Sequence, residues 1–216
     1  MNISLNRISP LPNALFQLER DGPQQRHRIA QFELEPAQME RFNMLLARIS
    51  EDHPALDRDQ VASAARELID QSPDGRVPAC IRDRVRRAGA VDLMLSDPEW
   101  ETRAEAALVA ALAVDYLHGN APLIPNSLPV VGWLDDAVLV ETAWPSLADE
   151  VRDYLDFCRL RRIEAGLRGE QRTHFGFTRE QWQDAHDAEA EWLAHCRRVG
   201  RDSYLSADAP ARFRVN

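Results

Sequence analysis

The chain has 216 residues, of which 44% are hydrophobic and 28% charged, a balance that predicts a folded globular protein and excludes an intrinsically disordered one. The formal net charge of −9 disfavours nucleic acid as a partner, because binding to a phosphate backbone needs a concentrated basic surface. With 9 glycines and 7% aromatic residues the composition favours helix over sheet, so we expect an all-α bundle of about seven helices.

The N-terminal part is predicted to be an irregular arm followed by a pair of helices. Prolines and a glycine interrupt the polar residues 1–35, a pattern typical of an arm without regular structure. Over residues 36–76 the first helix begins at Pro36 and carries apolar residues at three- and four-residue spacing as far as Ile49. Asp57 is expected to be the N-cap of the second helix, which ends at the turn of residues 72–75.

Residues 77–165 are predicted to form a central helical domain. A helix follows Pro78, and Asp97 is expected to cap the next one, with a proline at its first position. That next helix contains the run AEAALVAALAVDYL from Ala104 to Leu117, which is apolar on nearly every side and therefore predicts burial on most sides. At about 14 residues the run is shorter than the roughly 20 needed to cross a bilayer.

The segment APLIPNSLPVVG, residues 121–132, is predicted to be an ordered apolar loop, because its three prolines exclude both a helix and a central strand. The following helix is expected to have Asp135 as N-cap and to be interrupted by Pro145. Residues 166–216 hold a last helix, capped by Thr178 with Gln181, and an irregular tail. We expect all parts of the chain to pack as one globular unit.

A specific motif spans the loop and the start of the helix after it. Its residues are Leu123-Ile124-Pro125, Pro129, Gly132 and Leu134-Asp135-Asp136, which form LIPxxxPxxGxLDD, with Trp144 beyond. The motif resembles that of the YkvA-like domain-of-unknown-function family, and the resemblance covers residues 104–164. It implies a helical hairpin as the core and no established activity. Pro122 and Asn126 stand where the family has acidic residues, so a site built on those carboxylates would be incomplete here.

Two adjacent carboxylates are the first candidate for chemistry. Asp135 and Asp136 can hold a divalent cation together with Asp115 and His118 from the end of the preceding helix, which predicts a metal-dependent hydrolase as an alternative function. The competing interpretation is structural, because a capping Asp135 and an Asp136 in the first turn are both favoured by the helix dipole. The sequence carries no nucleophile elbow and no phosphate-binding loop, and no cofactor other than a divalent metal is expected.

Apolar residues are unusually dense in and beside the loop. One interpretation is that they fill the core between helices, and the other is that they form a partly exposed patch that docks a protein or a membrane surface. The leading expectation is a non-enzymatic interaction or adaptor protein, with peripheral membrane association as a variant. The predicted partner-binding residues are Leu123, Ile124, Leu128, Trp133 and Trp144.

Cysteine usage and the N-terminus bear on the compartment. Cys80, Cys158 and Cys196 are odd in number and widely spaced, which indicates neither a disulfide framework nor a CxxC metal site. The N-terminus lacks a basic region followed by a continuous apolar run, so no Sec-type signal peptide is expected. A cytoplasmic protein is predicted.

Overall fold

The structure, a computed structural model, describes residues 8–17, 26–171 and 175–202, with side chains up to Val199. The predicted tail and, within the predicted arm, residues 1–7 and 18–25 lie outside these residues. The described part is mostly helical, which confirms the all-α prediction. It contains six α-helices: α1 (Pro36–Ile49), α2 (Arg58–Gln71), α3 (Ala79–Ser96), α4 (Ala104–His118), α5 (Leu134–Leu167) and α6 (Arg179–Asp202).

The chain divides into two compact units, Met1–Tyr154 and Leu155–Asn216, and the division falls inside α5. The domain bounds expected from the sequence, and the packing of all parts as one globular unit, stay predictions. The first unit holds α1 to α4, the loop and the N-terminal part of α5. The second holds the rest of α5 and α6.

The described part of the arm is more ordered than predicted. Residues Asn13–Phe16 form a 3-10 turn, and β1 (Arg28–Ile29) pairs antiparallel with β2 (Phe32–Glu33). The 3-10 turn packs on α2, where the side-chain amide of Gln60 donates a 2.9 Å hydrogen bond to the carbonyl of Gln17. This bond satisfies a buried polar side chain and fixes the arm to the helix.

Local signals set the first two helices as predicted. α1 has Pro36 in its first turn and buries the predicted apolar face, including Met39 and Phe42. Asp57 is the N-cap of α2, since its carboxylate accepts a 2.7 Å hydrogen bond from the Gln60 amide while the Gln60 side chain accepts one from the Asp57 amide. This reciprocal pair is a capping box, which satisfies two amides that the helix leaves without partners.

Helix α4 departs from the prediction in two ways. It begins at Ala104, not after Asp97, because the intervening segment turns to bury Trp100 edge-on against Tyr154, with ring centroids 5.8 Å apart. Its burial was also overestimated. Within α4 a ridge of small residues is fully buried, namely Ala106, Ala110 and Ala113, whereas the side chain of Leu108 on another side is 63% exposed.

Helix α5 is continuous through Pro145, so the predicted interruption is wrong and the expected seventh helix merges with its neighbour. A proline inside a helix removes one hydrogen bond and costs about 3 kcal/mol. Buried side chains lie on both sides of it, with Leu139 and Ala143 before and Leu147 and Val151 after. Packing of this face outweighs the local cost, which is how tertiary context overrides propensity.

In the second unit an aromatic cluster connects α5 to the segment before α6, and a polar contact connects α5 to α6 itself. Phe157 of α5 stacks on Phe177, and Phe177 on Phe175, at 5.5 and 5.9 Å between centroids. The indole N–H of Trp182 in α6 donates a 3.0 Å hydrogen bond to Asp156 of α5. The capping box predicted for α6 is confirmed by two hydrogen bonds between Thr178 and Gln181.

Candidate functional site

The candidate site is the loop between α4 and α5, residues 119–133. The chain folds tightly back on itself at Gly132, whose amide donates a 3.0 Å hydrogen bond to the Leu128 carbonyl. A Cβ at Gly132 would lie 2.6 Å from the Asn126 carbonyl oxygen, so only glycine fits there without a backbone shift. Val130 has a φ of 70°, a conformation that β-branched residues rarely adopt and that typically costs about 1–3 kcal/mol.

The carboxylate of Asp135 anchors this loop to both flanking helices. Its Oδ2 accepts hydrogen bonds from the hydroxyl of Tyr116 at 2.6 Å, the amide of Leu123 at 2.9 Å and the amide of Ile124 at 3.2 Å. The Leu123 amide is shared, because it also lies 2.9 Å from the Tyr116 hydroxyl oxygen. One oxygen therefore joins the end of α4, the middle of the loop and the first turn of α5.

The role predicted for Asp135 as an N-cap is wrong. α5 begins at Leu134, two residues before the predicted start at Asp136, and the Trp133 carbonyl accepts a 3.0 Å hydrogen bond from the Ala137 amide. Asp135 therefore lies within the first turn, and its side chain accepts hydrogen bonds from Tyr116 of α4 and from the loop amides of Leu123 and Ile124. The dipole of α5 still favours negative charge at this end.

Burial dominates the electrostatics of the two carboxylates. It raises the pKa of Asp135 above its usual value, against the lowering effect of the Tyr116, Ile124 and Leu123 hydrogen bonds. Burial, with a contribution from the charge of Asp135, raises the pKa of Asp136 to about 7. Burial and the neighbouring Asp135 also raise the pKa of Tyr116, so its hydroxyl stays protonated and donates. Oδ1 of Asp135 and Oδ2 of Asp136 are buried and accept no hydrogen bond from any residue that the structure describes.

The structure does not bring the four predicted metal ligands together. Asp115 and His118 are exposed, and His118 lies 3.7 Å from Asp92. Asp135 instead accepts hydrogen bonds from Tyr116 of α4 and from the loop amides of Leu123 and Ile124. In the part of the chain that the structure describes, no group of three or more His, Cys, Asp or Glu side chains is arranged to hold a metal ion.

The five predicted partner-binding residues differ in how far their side chains are exposed to solvent. Leu123 and Ile124 are fully buried, so their assignment to a binding surface is corrected: they fill the core beside the anchor. Trp144 is half-buried, with the guanidinium of Arg87 3.9 Å from the centre of its ring. Leu128 is half-buried and the side chain of Trp133 is 37% exposed, so these two remain at the surface.

Sequence reasoning missed Tyr116 as part of the site. The available signal was a tyrosine on an otherwise apolar helix, because a tyrosine hydroxyl that is taken out of water needs a hydrogen-bond partner. What the sequence could not supply was the identity of that partner, which lies 19 positions further along the chain.

Comparisons with family models, curated proteins and solved structures returned no match to the chain. In the described residues, no helix is both long enough and apolar enough to cross a membrane.

Proposed function

We propose that this chain is a non-enzymatic interaction protein that presents the tip of the anchored loop to a protein partner. The loop tip is defined here as Leu128, Pro129 and Trp133. Pro129 and Trp133 are exposed and Leu128 is half-buried. The contact is expected to centre on Trp133, since large aromatic side chains contribute most to protein interfaces.

The observation that carries the proposal is the setting of Trp133. It is an exposed tryptophan between two buried neighbours, Gly132 and Leu134. The backbone on its N-terminal side is fixed by the tight approach of Gly132 to Asn126, and that on its C-terminal side by α5. A side chain presented from a fixed backbone loses little conformational entropy on binding, which favours affinity.

The buried apolar residues of the motif support this presentation without contacting the partner. The backbone amides of Leu123 and Ile124 donate hydrogen bonds to Asp135, and the two side chains are buried. These residues therefore position the loop. We also propose that residues 104–164 form a YkvA-like helical hairpin, on the strength of the motif LIPxxxPxxGxLDD. We do not propose a metal-dependent hydrolase, because the four predicted metal ligands do not lie together in the described part of the chain.

Site-specific photocrosslinking tests the proposal. A photoreactive phenylalanine derivative replaces Trp133 in the full chain, which is expressed in its native cells, irradiated and analysed by mass spectrometry. The matched control carries the same group at Leu93 of α3, whose side chain is 56% exposed. We expect a protein adduct at position 133 that is absent at position 93. No adduct at 133, or the same adducts at both positions, would contradict the proposal.

A further inference from the structure

The C-terminal half of α6 has no packing partner among the described residues of the chain. Every side chain from residue 190 to residue 199 is exposed, and three of them are large and apolar: Trp192, Leu193 and Val199. The side chain of Trp192 is 65% exposed. An exposed apolar group of this size on a regular helix is typical of an interaction site.

Two of these exposed apolar residues, Trp192 and Val199, continue a line of residues, here called the seam, that begins in the packed half of the helix. Residues spaced alternately by three and four lie along one side of α6: Trp182, Ala185, Glu189, Trp192, Cys196 and Val199. Trp182 is buried within the second unit, and Ala185 and Glu189 are half-buried. This spacing is that of the contact positions of a coiled coil, so the second half of the seam is shaped to receive another helix.

Charge is divided between the two halves of α6. Residues 183–191 contain four acidic side chains, Asp184, Asp187, Glu189 and Glu191, and no lysine or arginine, whereas residues 192–199 contain Arg197 and Arg198 and no acidic side chain. The acidic half of one copy is therefore complementary to the basic half of another copy that runs in the opposite direction. Opposite charges facing each other across a helix pair set its partner and orientation.

We propose that two copies of this chain associate through the seam of α6, with the two helices antiparallel and a two-fold axis near Trp192. In this register Arg197 lies opposite Asp187 of the second copy, and Cys196 opposite Ala188 of the second copy. The two helix dipoles also oppose each other favourably. This inference concerns the second unit and is independent of the loop tip.

The expected dimer is weak and symmetric. Overlap from Ala185 to Val199 spans about 22 Å of helix at 1.5 Å per residue, which places the contact at the low end of protein interfaces. A dissociation constant in roughly the micromolar range follows. A second copy suits this surface better than an unrelated partner, because one helix supplies both the acidic and the basic half and so satisfies the self-complementarity of a two-fold interface.

Sedimentation velocity of the full chain over a wide concentration range tests the association. We expect a reversible monomer–dimer equilibrium that Trp192→Ala weakens at least tenfold. Leu108→Ala on α4 is the matched control, because Leu108 is exposed to nearly the same extent, and it should leave the equilibrium unchanged. A chain that is monomeric throughout, or a dimer that Trp192→Ala does not weaken, would overturn the proposal.

Charge reversal tests the pairing between the two halves. The variants Arg197→Glu/Arg198→Glu and Asp184→Arg/Asp187→Arg should each dissociate alone, because like charges then face each other, and should form a mixed dimer when combined. The four substituted residues are all exposed, so the variants should fold normally. Circular dichroism checks this. Failure of the mixture to associate would contradict the proposed complementarity.

Cysteine crosslinking tests the antiparallel orientation. With Cys158 replaced by serine, mild oxidation should leave Cys196 uncrosslinked, since two copies of it would be separated by about 12 Å along the helix axis. Adding Ala188→Cys should give a rapid disulfide between position 188 of one copy and Cys196 of the other. A rapid Cys196–Cys196 disulfide in the absence of Ala188→Cys would show a parallel pair and overturn the arrangement.

Discussion

The hydroxyl of Tyr116 donates a 2.6 Å hydrogen bond to Oδ2 of Asp135, and through it the end of α4 is joined to the first turn of α5. The same oxygen of Asp135 accepts hydrogen bonds from the backbone amides of Leu123 and Ile124. Hydrogen bonds to a charged acceptor are the stronger kind, and loss of the acceptor leaves buried amides without a partner. This arrangement explains how a loop rich in proline and apolar residues keeps one conformation.

Loss of each of the two adjacent carboxylates should affect stability in opposite directions. Asp135→Ala is expected to destabilise the protein by about 1–3 kcal/mol, because the Tyr116 hydroxyl and the buried amides of Leu123 and Ile124 lose their acceptor. Asp136→Asn is expected to stabilise it by a similar amount above pH 7, because it removes a buried charge whose Oδ2 has no hydrogen-bond partner among the described residues. Urea unfolding of both variants at pH 8 measures the difference. The same sign for both would contradict the assigned roles.

Asp136 should also make stability depend on pH. Its folded pKa of about 7 lies well above the usual value of an aspartate, so the folded state binds the proton more tightly than the unfolded state. Its contribution to stability is therefore fully present below about pH 4 and is lost as pH rises to about 7. The free energy of unfolding of the wild type relative to Asp136→Asn should fall by roughly 2 kcal/mol between pH 5 and pH 8. A difference that is constant with pH would refute this prediction.

Gly132 and Gly89 provide a matched pair for the loop geometry. Gly132→Ala places a Cβ 2.6 Å from the Asn126 oxygen and 2.8 Å from the Leu128 oxygen, so we expect a loss of roughly 1–3 kcal/mol. Gly89→Ala in α3 meets nothing within 4 Å and should stabilise the helix by up to about 1 kcal/mol. Thermal unfolding of both variants measures the contrast, and equal melting temperatures would count against the tight loop.

In the second unit, Asp156 should control the packing of α6 on α5. Burial alone would raise the pKa of Asp156, but hydrogen bonds from Trp182, Arg159 and His186 lower it below its usual value. The contribution of Asp156 to stability is therefore present above the unfolded pKa and lost as pH falls through the lowered folded pKa.

Hydrogen exchange tests this role. Asp156→Asn should speed exchange of the amides in the first turns of α6 at pH 7, because three donors lose a charged acceptor. The control Asp149→Asn, at an exposed position of α5, should leave exchange in α6 unchanged. Unaltered protection in Asp156→Asn would show that α6 does not depend on this carboxylate.

What the sequence predicted correctly rests on short-range signals. The capping boxes of Asp57 with Gln60 and of Thr178 with Gln181 act within three residues, and both are confirmed. The continuity of α5 through Pro145 could not be read locally, because packing of distant side chains offsets the cost of the proline.

The candidate site was located but its organisation was not. The motif singled out Asp135 and the loop, yet the hydrogen-bond donors of Asp135 come from α4 and from the loop itself. The apolar pattern likewise could not say which side chains turn inward. Leu123 and Trp133 look equally available in the sequence, and only the folded loop buries the first and exposes the second.

The central claim is that the anchored loop binds a protein through Trp133, and the affinity of the crosslinked partner for purified variants tests it most directly. Isothermal titration should show binding to the wild type and to the control Leu93→Ala within about twofold of each other. Trp133→Ala should bind at least tenfold more weakly, which corresponds to about 1.4 kcal/mol, while its melting temperature stays near that of the wild type. Equal affinity of Trp133→Ala and the wild type would contradict the account.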